Sequence, residues 1–377
     1  MTVLIVTALA SHSPSGVVTY YNTLADDLRK QGMNVSILDS LDTPAFWRKC
    51  MVLMNKVTRY VGPMSQAFYE EFAQFTCMYL SVRANRNLRP DLIHAQDAKT
   101  GTAAFLALGK KVPVVMTCHF NDDPATELAG RFPMKAWFKR RLLNWYKYLF
   151  SHIKSYVFVS DYAYNKSKHL LPDDAQKITI HNTVTIESEK ASVNAVNSEQ
   201  LIICNVGYVD ERKNQKLLIQ IGYELRQRGI ANFSLWFIGD GPKRQEYEQL
   251  AQSLGMSEQV RFYGQQENPW RFVAQADLYI HTALNDNCPY AIIEAFAVQT
   301  PVLALPVGGI PEMMPEHAGL LEGTTLEALT DEVAAYFNVE ERAQLRQAQA
   351  HYADQHFNHR QSLTQLMSFY HQTEQLA

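Results

Sequence analysis

The chain has 377 residues, of which 47% are hydrophobic, and its 35 basic and 38 acidic side chains give a formal net charge of −3. This length predicts two or three domains with ample apolar material for their cores. The slightly acidic balance argues against generic nucleic-acid binding, which normally requires a strong basic excess.

The N-terminal sequence and the cysteines bear on location. The first ten residues are apolar, but they lack a basic n-region and lead into a polar loop, so they predict a buried strand and not a signal peptide. No run reaches the roughly 18 apolar residues that a membrane span requires. Five cysteines without a C-x-x-C pair indicate neither a disulfide framework nor a zinc site. We therefore expect a cytoplasmic protein.

Short β-branched runs alternate with helical patterns along the chain. This alternation predicts βαβ units and parallel sheets, an α/β fold. A polar stretch at residues 186–200 interrupts the series and predicts a linker between two doubly wound domains, 1–185 and 201–355, with residues 356–377 forming a closing helix. The predicted strands are Val3–Thr7, Asn34–Leu38, Leu92–His94, Val112–Thr117, Tyr156–Val159, Leu201–Val206, Ser234–Ile238, Gln259–Tyr263, Leu278–His281 and Pro301–Leu305.

Ligands of doubly wound folds bind beyond the carboxyl ends of the strands, so polar residues there are candidates for a site. Gly16 follows the first strand and starts a helix, where it either permits close approach to a phosphate or sugar or serves only as a turn residue. His119 ends a later strand. It is either a hydrogen-bonding partner for a sugar hydroxyl, a cation for developing negative charge, or a strand-end histidine bonded to nearby backbone.

Residues 131–160 contain seven basic and no acidic side chains. On a helical wheel, one arc holds Trp137, Phe138, Leu142, Trp145 and Leu149, and the other mixes basic residues with Leu143, Tyr146 and Phe150. Such a basic aromatic helix near residues 134–150 suits an anionic membrane surface. The alternative is a core-facing helix with a solvated basic face.

Two adjacent cations, Arg212 and Lys213, follow a strand and a glycine turn at the predicted start of a helix. Cations there oppose the helix dipole, which a bound diphosphate would explain, although exposed cations are also common in turns. Gly308 and Gly309 follow another strand and allow either a tight turn or close approach of backbone N–H groups to a ligand.

The segment from Asn285 to Ala297 places two carboxylates eight residues apart across a loop-to-helix junction. Pro289 suits the first helical position, which puts Asp286 in the loop and Glu294 about a turn and a half inside the helix. Both carboxylates can then face one cleft, with a helix start that favours phosphate between them.

Several other chemistries lack their motifs. G-x-G-x-x-G and Walker A patterns are incomplete, so a nicotinamide dehydrogenase and a P-loop NTPase are poorly supported. The sequence has no D-x-D triad, H-E-x-x-H or clustered His/Cys set, and no G-x-S-x-G. We therefore expect neither a metal nor a cofactor, and the leaving group would be neutralised by protein.

Taken in order, these fragments resemble the GT-B family of retaining glycosyltransferases with the E-x7-E signature, the glycosyltransferase family 4-like, group 1 type of bacterial polysaccharide and lipopolysaccharide assembly. The likeness covers nearly the whole chain. It rests on Ser15-Gly16, Asp91–His94, Thr117–His119, Val159-Ser160, His181-Asn182, Gly207 with Lys213, Gly239–Gly241, Val260–Gly264, Ala276-Asp277, Asp286–Ala297 and Pro301–Glu312.

The resemblance implies two Rossmann-like domains facing across a cleft, an N-terminal acceptor domain and a C-terminal nucleotide-sugar domain, with C-terminal helices closing back on the first. It implies metal-independent transfer of a sugar, typically a hexose, from a UDP-sugar, or less typically a GDP-sugar, to a glycan or lipid-linked saccharide acceptor. The expected location is cytoplasmic, peripheral on the inner face of the plasma membrane. The implied front-face mechanism retains anomeric configuration and needs no protein general base.

The resemblance also implies roles for individual residues. Glu294 would hold the ribose hydroxyls, and Asp286 a hydroxyl of the donor sugar. Lys213 and Arg212, assisted by Gly16, would neutralise the diphosphate, and His119 would contact the donor sugar near its reactive carbon. Main-chain groups around Asn287, Cys288, Pro289, Tyr290 and Ala291, with Gly308 and Gly309, would complete the substrate site.

The chain departs from the family pattern at a few positions. Asp286 replaces the usual first glutamate, Tyr208 an arginine, Ser15 the first glycine of a pair, and Gln299 a helix-ending glycine. Two other readings stay open. One is a GT-B nucleotide-sugar epimerase or phosphorylase-like enzyme, and the other is a non-catalytic subunit that binds a nucleotide-sugar or a partner enzyme.

Overall fold

The computed structural model describes residues 1–11, 13, 15–186 and 200–375, and Pro14 of the predicted N-terminal loop lies outside them. The chain divides into two units by its contacts: Met1–Ile180 with Arg360–Ala377, and His181–His359. The predicted linker lies outside the described residues except at Ile186 and Gln200. The predicted boundaries of folding domains therefore stay predictions.

Unit 1 contains a six-stranded parallel sheet in the order β2-β1-β3-β4-β5-β6. Its strands are β1 (Thr2–Val6), β2 (Asn34–Leu38), β3 (Leu92–Ala95), β4 (Val114–Cys118), β5 (Ser155–Phe158) and β6 (Gln176–Thr179). Its helices are α1 (Gly16–Lys30), α2 (Ala45–Val61), α3 (Pro63–Ala84), α4 (Ala98–Ala107), α5 (Pro124–Arg131), α6 (Ala136–Phe150) and α7 (Asp161–Ser167).

Both faces of this sheet are covered, which explains why its central strands are almost continuously apolar. Leu4 and Val6 belong to the core beneath α3, α4 and α6. Val3 and Ile5, which alternate with them, belong to the core on the opposite face. That second core includes Leu366, Phe369 and Tyr370 of the last helix, α14 (His359–Gln375). The closing helix predicted from the sequence therefore packs on the N-terminal sheet.

Unit 2 contains a five-stranded parallel sheet in the order β11-β10-β7-β8-β9. Its strands are β7 (Leu201–Val206), β8 (Phe233–Ile238), β9 (Val260–Gly264), β10 (Leu278–His281) and β11 (Val302–Ala304). Its helices are α8 (Gln215–Gln227), α9 (Arg244–Ser253), α10 (Trp270–Val273), α11 (Tyr290–Ala297), α12 (Leu326–Ala335) and α13 (Val339–His356). The α/β prediction is thus confirmed. Among the described helices, none is long and apolar enough to cross a membrane.

The wheel drawn for residues 134–150 is partly wrong. In α6 the buried side chains are Leu142, Tyr146, Leu149 and Phe150, so two residues from the predicted basic arc face the core. Trp137, placed on the core arc, is instead exposed. The difference arises because Tyr146 and Phe150, one turn apart, are aligned with Leu142 and Leu149 along one stripe of the helix.

Candidate functional site

The predicted carboxylates of unit 2 lie in the loop between β10 and α11 and in α11 itself. Pro289 is the N-cap of α11 and not its first helical residue, because its ψ of 126° is extended. The helix begins at Tyr290, which leaves Asp286 in the loop and Glu294 in the second turn. The prediction of Pro289 at the first helical position is therefore wrong by one residue, while both carboxylates keep their predicted elements.

Asp286 is held by three groups. Its Oδ2 lies 2.5 Å from Lys213 Nζ and 3.1 Å from His281 Nε2, and its Oδ1 accepts a hydrogen bond from Asn287 N at 3.1 Å. Burial alone would raise the pKa of this carboxyl, but the charge of Lys213 and the bond from His281 outweigh burial and hold the pKa well below its usual range. Asp286 is therefore ionised and paired.

His281 and Tyr279 are site residues that the sequence analysis missed, since both lie within β10 and are typical of a buried strand. Burial lowers the pKa of His281, although its bond to Asp286 opposes that shift, so the ring is neutral. Because the Asp286 carboxylate can only accept, His281 Nε2 carries the proton and Nδ1 accepts from the Tyr279 hydroxyl at 3.0 Å. These two hydrogen bonds fix the orientation of the His281 ring, with Nε2 towards Asp286.

The turn before α8 brings Lys213 to the same loop. Asn214 adopts a left-handed φ of 54°, and α8 begins only at Gln215. The two cations therefore lie in the turn and not at the helix start, which corrects the dipole argument made from the sequence. Thr282 Oγ1 donates to Lys213 O at 3.0 Å, and Arg212 Nη1 donates to Asn285 O at 3.2 Å. These bonds hold the cationic turn against the Asp286 loop.

Gly308 and Gly309 support the same loop from the end of β11. Gly308 has a φ of +60°, and a Cβ there would lie 1.8 Å from Asp286 O. Gly309 N donates to the same carbonyl at 3.2 Å. The glycine at position 308 is therefore required by close backbone packing that positions Asp286.

Between the carboxylates, Cys288 O accepts a hydrogen bond from Asn182 Nδ2 at 2.8 Å. Asn182 is a third residue that the candidate site left out, although its His181-Asn182 pair is part of the resemblance. Its buried Oδ1 has no partner among the described residues. Asn287 and Cys288 are buried, and burial raises the pKa of the Cys288 thiol to about 12. Cys288 is thus an unreactive thiol whose backbone carbonyl is fixed.

The start of α11 has no side-chain cap, because Pro289 offers none. Within the part of the chain that the structure describes, the Ala291 N–H has no acceptor. Such unpaired N–H groups and the helix dipole favour an anion. Among the described residues, no cluster of three or more His, Cys, Asp or Glu side chains could hold a metal ion.

Glu294 differs from every other carboxylate at this edge of the sheet. Burial raises its pKa to about 7, and its side chain has neither a hydrogen bond nor an ion pair with any described residue. Burial raises the pKa of Tyr279, and the charges of Cys204, Asp286 and Glu294 raise it further. Glu294 is therefore a partly buried acceptor whose protein partner is missing.

Gly16 and His119 belong to unit 1. Gly16 is the first residue of α1, after Ser15, whose hydroxyl caps that helix through Val17 N. His119 follows β4, where Gln96 Oε1 accepts from its Nε2 at 3.0 Å and the Tyr20 ring packs edge-on at 4.8 Å. Burial lowers the pKa of His119 to about 3. The ring is thus neutral with Nδ1 as an acceptor, and the cationic role is not supported.

Behind His119 lies a buried polar chain that explains other motif residues. His94 Nε2 lies 2.7 Å from Thr117 Oγ1, which lies 3.0 Å from the Tyr20 hydroxyl. Tyr370 of α14 bonds to His94 Nδ1. Burial, together with the nearby His119, lowers the pKa of His94 to about 3. His94 is therefore a structural residue that ties the closing helix to the sheet.

The comparisons with known proteins agree with this architecture. Residues 14–188 match the family described as Glycosyltransferase Family 4, and residues 187–356 match Glycosyl transferases group 1. Together the two matches cover nearly the whole described chain. The protein belongs to the GT-B glycosyltransferases of the family 4-like, group 1 type.

Individual relatives are distant but span most of the chain. The putative teichuronic acid biosynthesis glycosyltransferase TuaC of Bacillus subtilis (strain 168) is 24% identical over 85% of each chain. Sucrose-phosphate synthase from Thermosynechococcus elongatus superposes with a TM-score of 0.79 over 100% of both chains at 16% identity. HepE of Anabaena in complex with UDP-glucose gives 0.69 over 99% of this chain and 100% of that one at 15% identity. The structural likeness establishes the GT-B fold.

Proposed function

We propose that the protein is a retaining, metal-independent hexosyltransferase that moves a sugar from a nucleoside diphosphate sugar to a hydroxyl of a glycan or lipid-linked acceptor in cell-surface polysaccharide synthesis. A UDP-sugar is the favoured donor. The name of TuaC supports the polysaccharide role, and the UDP-glucose bound to HepE supports the donor.

The unpartnered Glu294 carboxyl carries this proposal. A buried carboxylate without hydrogen bonds is costly, which is why the pKa of Glu294 is raised to about 7. The two adjacent hydroxyls of a ribose can each donate to one carboxylate oxygen, so a nucleoside supplies the two donors that the fold omits. Glu294 is therefore the proposed ribose-binding residue.

Lys213 and Arg212 are proposed to neutralise the departing diphosphate. Lys213 uses one of its three ammonium donors on Asp286, which leaves two for phosphate oxygens. Arg212 gives one donor to Asn285 O and has a largely exposed guanidinium. Charge builds on the leaving phosphate in the transition state, so prepositioned cations stabilise it more than the ground state. Lys213 and Arg212 are therefore also proposed to take over the phosphate-neutralising role of the arginine that Tyr208 replaces.

Asp286 is proposed to accept a hydroxyl of the donor sugar. It is ionised, paired through Oδ2, and held by its neighbours before any ligand arrives, so no proton transfer is assigned to it. The main-chain groups of residues 287–291, Gly308 and Gly309 are proposed to shape the donor site around it. The roles of Gly16 at the diphosphate and of neutral His119 at a donor hydroxyl are proposed from the resemblance.

Titration calorimetry with UDP-glucose and GDP-glucose at pH 6, 7 and 8 tests the ribose assignment. Replacing Glu294 by Ala should weaken binding at pH 8 by at least tenfold, about 1.4 kcal/mol for a lost charge-assisted contact. Wild-type affinity should also fall about tenfold from pH 8 to pH 6, because Glu294 must lose its proton before it can accept both hydroxyls.

Glu258→Ala, at an exposed glutamate of the same unit, is the matched control and should bind like wild type. Equal affinities for wild type and Glu294→Ala, with the same pH dependence, would overturn the ribose assignment. Mass spectrometry of products formed with and without saccharide acceptors then separates transfer from isomerisation and from binding without turnover.

A further inference from the structure

Helix α2 is almost uncovered. Of its seventeen residues only Met51 is buried, and it packs against Tyr69 and Ala73 of α3. The Tyr69 hydroxyl also bonds to Met51 O. The helix is therefore attached to unit 1 by a narrow stripe, and folding of the chain does not explain the rest of its apolar surface.

The uncovered part of α2 has two distinct faces. At about 100° per residue, the apolar residues fill one half of the helix and four cations lie on the other. The apolar half consists of Phe46, Trp47, Cys50, Leu53, Met54, Val57, Tyr60 and Val61, with Met51 at its edge. The basic half consists of Arg48, Lys49, Lys56 and Arg59, with Val52 among them, and α2 has no acidic residue.

The exposure of this apolar half is large. Phe46 is 69% exposed, Leu53 65% and Tyr60 93%. Helix α3 adds Phe68 and Phe72, two exposed rings stacked 6.2 Å apart. We call these α2 and α3 side chains the α2–α3 surface. Among the described residues, most of the exposed large hydrophobic side chains lie on it. Contiguous apolar surfaces of this kind mark interaction sites in soluble proteins.

Charge decides which partner the surface fits. A second copy of the chain packed on the apolar half would leave the four α2 cations on the opposite half without a complementary charge. An anionic bilayer complements both faces of the helix, since its headgroups attract Lys and Arg while aromatic and aliphatic side chains enter the acyl boundary. Helix α6, whose Trp145 packs on Phe75 of α3 at 5.5 Å, adds further exposed cations nearby.

We propose that α2 is an in-plane membrane helix, with its apolar half inserted in the interface of an anionic lipid bilayer. This assignment differs from the helix chosen in the sequence analysis. Helix α6 buries Leu142, Tyr146, Leu149 and Phe150, so it supplies charge and only Trp137 and Tyr148 as exposed large apolar groups. The proposal does not depend on the donor or on turnover, so its tests can fail independently of the proposed function.

Exposed tryptophans in both helices provide matched reporters. With vesicles of phosphatidylglycerol and phosphatidylcholine that contain brominated acyl chains, tryptophan fluorescence of the full chain should be quenched. Trp47→Phe should remove most of that quenching, because Trp47 lies on the inserted half of α2. Trp137→Phe should leave it nearly unchanged. The reverse pattern would assign insertion to α6 and overturn the proposal.

Vesicle cosedimentation of variants separates the contribution of apolar insertion from that of electrostatic attraction to the lipid headgroups. Leu53→Ser with Val57→Ser should reduce the partition coefficient about 100-fold, and Lys49→Gln with Lys56→Gln about 30-fold. Lys139→Gln in α6 should reduce it only about fivefold, less than either pair, because it removes a single cation. Val339→Ser in unit 2 is the control for loss of an exposed apolar group.

Each remaining outcome counts against the proposal. Equal sedimentation of wild type and the Leu53→Ser, Val57→Ser variant would overturn it. Absence of wild-type binding to vesicles with half phosphatidylglycerol would point to a protein partner. A concentration-dependent dimer in light scattering that the same variant abolishes would assign the surface to a second copy.

Discussion

Asp286 and Glu294 belong to the same helix start, yet the fold surrounds them in opposite ways. Asp286 receives an ammonium, an imidazole and a backbone N–H, and the pKa of its carboxyl lies well below its usual range. Glu294 receives none of these, and burial raises its pKa to about 7. One carboxylate is oriented by the protein, whereas the side chain of the other has no hydrogen bond or ion pair among the described residues.

The largest expected effect comes from removing Lys213, the ammonium partner of Asp286. Lys213→Ala should lower turnover by about 10²- to 10³-fold, because it removes a cation that we propose neutralises the leaving phosphate. It should also destabilise the protein by about 3 kcal/mol, because Asp286 keeps a largely buried charge without its ammonium. Steady-state kinetics and urea denaturation measure the two effects.

Two variants control that experiment. Lys216→Ala removes an exposed lysine three residues away and should leave both quantities near wild type. Adding Asp286→Asn to Lys213→Ala should restore part of the stability, since the uncompensated charge is gone, without restoring turnover. Strictly additive losses in stability would mean that the pair is not coupled.

A smaller effect, on stability, is expected from neutralising the Glu294 carboxyl. The folded-state pKa of Glu294 is raised above its usual 4.5 to about 7, so the folded protein holds a proton that the unfolded chain has lost across this window. The stability supplied by that proton is fully present below pH 4.5 and is lost as the pH rises through 7. At pH 8 the ligand-free wild type should therefore be less stable than Glu294→Gln by up to about 3 kcal/mol.

Thermal unfolding without ligand at pH 5 and pH 8 measures this difference. Glu294→Gln should gain several degrees over wild type at pH 8 and little at pH 5, at about 2–4 °C per kcal/mol. Glu258→Gln, at an exposed glutamate, should show no such gain. A Gln variant that is destabilised equally at both pH values would mean that Glu294 has a protein partner.

The sequence was sufficient for the parts of this site that follow from strand order. Ten strands were predicted close to their observed bounds, because most of them are buried on both faces and are therefore continuous apolar runs. Edge strand β6 (Gln176–Thr179) was missed because three of its four residues are polar and it is only partly buried. Asp286, Glu294 and Lys213 were chosen as candidates because ligands of doubly wound folds bind beyond the carboxyl ends of the strands, and these residues follow strand ends.

The contacts among those residues were beyond the sequence for a physical reason. The Lys213–Asp286 pair joins side chains 73 positions apart, which are brought together by the pairing of β7 with β10 and by the loop bonds of Thr282 and Asn285. His281 was missed because the sequence alone does not distinguish a functional histidine inside an apolar strand from a core histidine whose hydrogen bonds are satisfied by its neighbours. The exposure of α2 was likewise unreadable, since an amphipathic pattern predicts a buried face whether or not a neighbour covers it.

The smallest effect on turnover is expected from Tyr279, which is linked to Asp286 through His281. The Tyr279 hydroxyl donates to His281 Nδ1, which leaves the Nε2 proton for Asp286. Tyr279→Phe leaves Nδ1 as a buried acceptor without its donor, at a cost of about 1–2 kcal/mol. Turnover should fall only a few-fold, because Lys213 and the Asn287 N–H still hold the Asp286 carboxylate.

Tyr223→Phe, at a tyrosine whose hydroxyl makes no bond among the described residues, is the matched control. Nitrogen NMR of the His281 ring should show the proton still on Nε2, since the carboxylate selects that tautomer even without the tyrosine. A loss above 100-fold with the tautomer unchanged would instead mean that Tyr279 itself contacts substrate, and orienting His281 would then not be its role.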